Sequence, residues 1–146
     1  MVTRGSRKEV DRSQADKYRR VGEALLESAQ TLADLATESD GYGNAIAVVA
    51  VHACIAYNDA LSIAWKGVKS TEGDHTRAPD TLLFALSHQV PAERVRQLKA
   101  VVAKKDHVSY QGTYYRIDQA TRLLGDAAEF CAWAEKMFEH RPPLAA

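Results

Sequence analysis

A chain of 146 residues with 19 basic and 19 acidic side chains carries no formal net charge, which excludes a protein that holds nucleic acid through overall charge alone. Its 46% hydrophobic and 26% charged content excludes a disordered chain and fits one globular domain with a real core. The two cysteines, Cys54 and Cys131, stand singly without Cys-x-x-Cys spacing, as reduced core thiols of a cytoplasmic protein would.

Residues 1–12 are polar and charged, lack the apolar run of a signal peptide, and are expected to form a mobile arm. Ser13, with Asp16 three residues on, predicts a helix start. Beyond it Tyr18, Val21, Leu25, Leu32 and Leu35 recur at helical spacing, opposite Arg19, Glu23, Glu27, Gln30 and Asp34. That pattern is an amphipathic helix of about 24 residues. Gly41 and Gly43 break it, and Asn44 is placed to cap a second helix running to Trp65. The stretch from Asn44 to Trp65 is apolar almost all round, as in a helix enclosed by a bundle, and His52, Asn58 and Asp59 argue against a membrane span.

Gly67 ends this helix. Pro79 then opens a short helix with Leu82, Leu83 and Leu86 inward, and Pro91 opens another with Val95, Leu98, Val101 and Val102 as its apolar stripe. One further turn of that stripe lands on Lys105, so Lys105 is expected on the core face and Lys104 in water. A loop over 108–115 precedes a final helix from about Asp118. Its inward stripe reads Ala120, Leu123, Leu124, Ala127, Phe130, Cys131, Ala134, Met137 and Phe138, and Pro142 with Pro143 ends it. The expected fold is all-α: an antiparallel up-and-down bundle of four long helices plus one short helix. It forms one domain over residues 13–141, with a tail at 142–146.

Asp59 is the chemical problem of the chain. An ionised carboxylate inside an enclosed helix costs several kcal/mol unless paired. His52 lies two turns earlier, roughly 10.5 Å along the axis, so the two cannot bond each other and each needs a partner from another segment. For His52 the choice is between a core histidine bonded to a carbonyl and a functional one. A second cluster, Asp74 and His75, reads either as a helix cap with a surface histidine or as part of a site. A third, Lys104, Lys105, His107 and Tyr110, follows a helix that also carries Arg94, Arg96 and Lys99. It is either a solvated face or a phosphate-binding surface. No glycine-rich phosphate loop, His-Glu-x-x-His or Gly-x-Ser-x-Gly is present, and the five histidines show no close-spaced metal pattern. No metal and no cofactor is expected.

Asn58-Asp59-Ala60 at the end of an alanine-rich helix, then Gly73-Asp74-His75-x-x-Ala78-x-x-x-Leu82-Leu83, resembles half of the pattern of HEPN-domain proteins. Lys105-Asp106-x-Val108-x-Tyr110 followed by an alanine-rich helix resembles the other half. The similarity covers residues 44 to 139. It implies a helical bundle, usually a homodimer, with a cleft near the dimer interface. It also implies RNA or nucleotide as ligand. Many members are metal-independent ribonucleases, often toxins paired with a nucleotidyltransferase-like antitoxin, and others have lost catalysis. The ribonuclease members carry Arg, four to six residues, then His. This chain lacks that pattern, and its nearest approach is Lys69, five residues, His75.

Two functions follow. In the first, a polar cleft around Asp59, His75 and Lys105 binds RNA or nucleotide. There His75 or His107 moves protons, Lys105 stabilises the anion, and Asp74, Tyr110, Arg94 and Lys104 contact the ligand. In the second, the protein is a catalytically inactive dimeric module in which Asp59 and Lys105 form a buried structural pair, with Trp65, Glu129 and Trp133 as candidates for the dimer surface.

Overall fold

A helix built largely of alanine, valine and isoleucine has no polar face to offer water, and the second helix is accordingly the centre of the structure. The computed structural model describes residues 7–37, 41–71, 75–110 and 112–144. In chain order these form β1 (Arg7–Glu9), α1 (Ala15–Leu35), α2 (Tyr42–Lys66), β2 (Val68–Ser70), α3 (Ala78–Leu86), α4 (Ala92–Ala103), α5 (Lys105–Tyr110) and α6 (Ile117–Glu139). Single 3-10 turns at Arg12–Gln14, His75–Arg77 and Ser87–Gln89 join them. The protein is all-α apart from one small strand pair. Among the described residues three helices are long, α1, α2 and α6, while α4 has 12 residues, α3 nine and α5 six.

Every residue of α2 from Ala53 to Ala64 is buried. α2 is long and apolar enough to cross a membrane, but most of that stretch is enclosed by the rest of the molecule. α1 and α6 pack along it and α3 covers part of its length. Small side chains let these neighbours approach closely, and larger ones interlock with them: Ile46, Val51, Leu61 and Ile63 from α2, Leu82 and Leu86 from α3, Leu98 and Val101 from α4, Phe130 from α6. Trp65 and Trp133, expected at a dimer surface, are partly buried against this core. Trp133 lies tilted against Phe130, with ring centroids 5.6 Å apart.

The ends of α2 show why the neighbouring segments fold as they do. Gly67, in the left-handed region at φ 65°, donates its N–H to the Ile63 carbonyl and closes the helix. The next residues turn back as β2, which pairs antiparallel with β1 in the register Lys8↔Lys69. The arm expected over residues 1–12 is therefore bound from Arg7 onward. Val10 N–H donates to Gly67 O at 2.8 Å, and Arg12 Nε donates to Ala64 O at 2.8 Å. A guanidinium here satisfies an orphan carbonyl of the last turn and meets the negative end of the helix dipole. Arg12 also reaches Pro142 O at 2.9 Å, tying the end of α6 to the same point.

At the other end α2 begins at Tyr42, and Asn44 does not cap it. Its amide donates to Val108 O and Thr113 O and its carbonyl accepts from Tyr115 N–H at 2.8 Å, so it holds the segment between α5 and α6. That segment, expected as a loop over 108–115, begins instead as α5 after a tight turn at Lys104. Leu83, expected inward, is 38% exposed, because the inward stripe of α3 passes through Leu82, Ala85 and Leu86. Ser13 lies in the 3-10 turn capped by Asp11, ahead of α1. The inward stripe of α6 is as expected, except that Met137 is only partly buried.

Gly43 sits where α2 meets the Tyr115 backbone. A Cβ added there would fall 1.8 Å from Tyr115 O, a backbone atom that cannot rotate away. Gly43→Ala is expected to cost about 2–3 kcal/mol by overpacking and to lower the melting temperature by about 5–10 °C. An unchanged melting curve would show that the two backbones are not in tight contact.

Candidate functional site

The enclosed carboxylate does find a cation, but not the one expected. Asp59 is 6% exposed and its Oδ2 lies 3.9 Å from Lys69 Nζ, on β2. This corrects the Asp59–Lys105 pair. Stripe arithmetic on α4 brings Lys105 towards the core, but β2, missed in the sequence, reaches Asp59 with Lys69. Lys69 Nζ also stands 5.2 Å from the centroid of the Tyr18 ring on α1. At 3.9 Å the Asp59–Lys69 contact is an ion pair too long for a hydrogen bond. Asp59 Oδ1 makes no hydrogen bond among the described residues, and neither do the Asn58 amide nor Ser62 Oγ, both fully buried. Burial pushes the Asp59 carboxyl up to about 7, with Lys69 pulling weakly the other way.

A separate cluster forms where α2, the 3-10 turn His75–Arg77 and the α4–α5 corner meet. His52, half-buried on α2, and His75 stand edge to face with ring centroids 6.4 Å apart. Lys105 lies close enough to act on His52, whose pKa is held below its ordinary value first by burial and then by that positive charge. His52 is therefore neutral at pH 7 and able to accept a proton. His75, Thr76, Lys105 and Asp106, with Val102 and Ala103, line a cleft of about 80 Å³ beside the two rings. Asp59 is not among its lining residues.

The remaining candidates divide plainly. His107, two residues after Lys105, points elsewhere and meets the Tyr115 ring edge-on at 5.9 Å. Arg94 donates to Gln97 Oε1 at 2.7 Å, and Gln97 in turn donates to Glu129 on α6. Lys104 is exposed at the C-terminal end of α4, where a cation is favoured by the helix dipole. Asp74 and the side chain of Tyr110 lie outside the described residues. Cys54 and Cys131 are both free and buried on facing helices, and contact with Cys131, then burial, pushes the Cys54 thiol up.

The structure thus brings His75 and Lys105 together, adds His52 and Asp106, and leaves Asp59, Arg94, Lys104 and His107 elsewhere. The signal for His52 was its position two turns before Asp59 on a helix with few polar residues. Nothing in the local sequence placed it opposite His75, because a tertiary turn does so. Among the described residues no group of three or more His, Cys, Asp or Glu side chains is placed to hold a metal ion. No protein-family model, curated protein or solved structure matches this chain.

The raised Asp59 pKa has a defined consequence for stability. The folded protein holds the Asp59 proton to about pH 7, whereas the unfolded chain releases it near the ordinary value of about 3.9. Between those limits the folded state binds more protons, so stability falls as pH rises through that window, by of the order of 4 kcal/mol for a full shift. Urea denaturation from pH 4.5 to 7.5 is expected to show this decline, and Asp59→Asn to flatten it. A variant with the same pH slope as the parent would assign the slope to other groups.

Proposed function

We propose that this chain is a HEPN-like helical protein that binds RNA or a nucleotide, with a phosphate group seated in the cleft of His75 and Lys105, beside His52. The observation that carries the reading is the approach of the two imidazoles beside the Lys105 ammonium. Phosphate oxygens accept charge-assisted hydrogen bonds from an ammonium and from an imidazole N–H. A cleft of about 80 Å³ has room for an oxyanion. The all-α architecture built around α2 agrees with a HEPN-like bundle.

The same arrangement suits metal-independent RNA cleavage. Attack of a 2′-hydroxyl on its neighbouring phosphate needs a base for that hydroxyl proton, an acid for the departing 5′-oxygen and a cation for the charge that builds on phosphorus-bound oxygen. In this reading neutral His52 is the base, His75 the acid and Lys105 the cation. Asp59 is a structural residue, paired with Lys69, and no longer part of the reacting set. A cytoplasmic toxin–antitoxin or defence role, with a nucleotidyltransferase-like partner and a homodimeric state, belongs to this proposal through the HEPN resemblance.

The expected result is EDTA-resistant cleavage of single-stranded RNA by the purified protein, lost in His52→Gln and in His75→Gln. RNA left intact by the parent protein would remove catalysis from the proposal. Binding is tested separately: Lys105→Gln should weaken the affinity for a short single-stranded RNA about tenfold, the scale of one charge-assisted contact. It should also reduce the slope of log K against log salt by about 0.7. Unchanged affinity and slope would overturn the phosphate-binding reading itself.

A further inference from the structure

A helix with water on its outer side carries polar and charged residues there, and α1 does so on only part of its outward face. Val21, Ala24, Ser28, Thr31 and Leu35 are all exposed, Val21 at 55% and Leu35 at 75%. Their spacing of three, four, three and four residues sets them in one row, the seam along which two helices pack. The row is uncharged over roughly 21 Å of helix. Half-buried Leu32 of α1 and Val49 of α2 continue it into a concavity of about 530 Å³ between the two helices, and exposed Tyr42 stands two turns before Val49 on α2. Exposed apolar side chains scattered singly are ordinary, whereas an ordered row beside a groove marks a surface that another helix covers.

The charges along one edge of the row say which helix that is. Arg20, Glu27 and Asp34, all exposed, follow one another at seven-residue intervals, with the cation towards the N-terminal end and the anions beyond it. Arg20 holds Asp16 of its own helix through Nε at 2.8 Å and remains largely exposed. A second α1 laid antiparallel, with a two-fold axis near Glu27, sets Arg20 of each copy towards Asp34 of the other and Val21 of each towards Leu35 of the other. Only Glu27 then meets its like. A parallel arrangement would set every charge against its like. Ala24 and Ser28, near the axis, are small enough to let the two backbones approach closely. The patch is thus complementary to itself, as a two-fold contact requires. We infer that the exposed row of α1, with the groove it shares with α2, is the interface of an antiparallel two-fold dimer of this chain. A homodimer drawn from the HEPN resemblance carries no surface of its own. This one stands on the exposure and charge order of α1, whether or not the cleft binds phosphate. A single helix pair is a small interface, of the class below about 1,200 Å², so the dimer is expected to dissociate on dilution.

Sedimentation velocity of the full chain over a concentration series, without RNA, reads the dimer constant, and circular dichroism confirms that each variant is folded. The parent should pass from monomer to dimer as concentration rises. Ser28→Glu, which puts a charge at an exposed position in the middle of the row, should weaken the dimer at least tenfold. Arg20→Glu and Asp34→Arg should each weaken it about tenfold, because each turns two opposite-charge contacts into like-charge ones. The double variant restores opposite charges across the axis and should recover the parental constant. Glu27→Gln, which relieves the like pair at the axis, should tighten the dimer. A parent that stays monomeric at millimolar concentration overturns the inference. A dimer that Ser28→Glu leaves intact lies on another face and overturns it as well. Losses in the double variant as large as in either single variant would remove the antiparallel pairing, and the inference with it. None of these outcomes bears on the cleft, whose test is RNA binding.

Discussion

The enclosure of α2 is the constraint on which the rest of the structure depends. A helix covered along most of its length cannot leave a polar side chain to water, so each polar group on it must be answered by another part of the chain or carry a cost. His52 meets the His75 ring edge-on, and the nearby Lys105 charge disfavours its protonation. Tyr57 is answered by Glu135, whose carboxylate accepts the Tyr57 hydroxyl at 3.0 Å and the Arg19 guanidinium at 3.2 Å. Asp59 is answered by Lys69 alone, at a distance that leaves the carboxyl only partly compensated. The unequal quality of these answers separates groups that fix the packing from groups that have room for chemistry.

The Asp59 centre belongs to the first kind. Its cation comes from β2, and β2 is held by β1, by the Val10–Gly67 hydrogen bond and, at the end of α2, by Arg12. The pair therefore lies beneath the clasp that closes the C-terminal end of α2. Breaking one partner of a buried pair typically costs about 3–5 kcal/mol, while replacing both by apolar residues is often neutral. Such a pair specifies how segments meet more than it adds stability.

The parts of the fold legible in the sequence were those written in periodicity. The inward stripe of α6, the enclosure of α2 and its stop at Gly67 all follow from side-chain spacing and one left-handed glycine. The strand pair β1–β2 was not legible, since three-residue strands carry no usable alternation and gain their stability from Arg12 and the end of α2. Asn44 misled for a related reason: an asparagine near a helix start reads as a cap, but here its amide serves a loop more than sixty residues away in sequence. The Asp59 partner was misassigned through the same gap, because without β2 the remaining candidate on a core-facing stripe is Lys105. Of the site, His75 and Lys105 were legible as residue types in suggestive places, and their meeting at His52 was not, because a non-local turn creates it.

His52 and His75 have a physical logic that does not depend on any resemblance. A chain with no net charge can distribute its cations so that none converge, and yet two imidazoles and an ammonium meet here, with Asp106 as the carboxylate among the described residues lining the cleft. The folded protein meets that cost in part by keeping His52 unprotonated. In the proposed site an anion beside Lys105 would offset that charge and favour protonation of His52. Under the proposed function, anion binding and proton uptake at His52 are coupled at one place. That coupling is what the proposed site needs to do more than bind, and the Asp59–Lys69 pair offers none of it, being enclosed with a carboxyl that Lys69 only partly compensates.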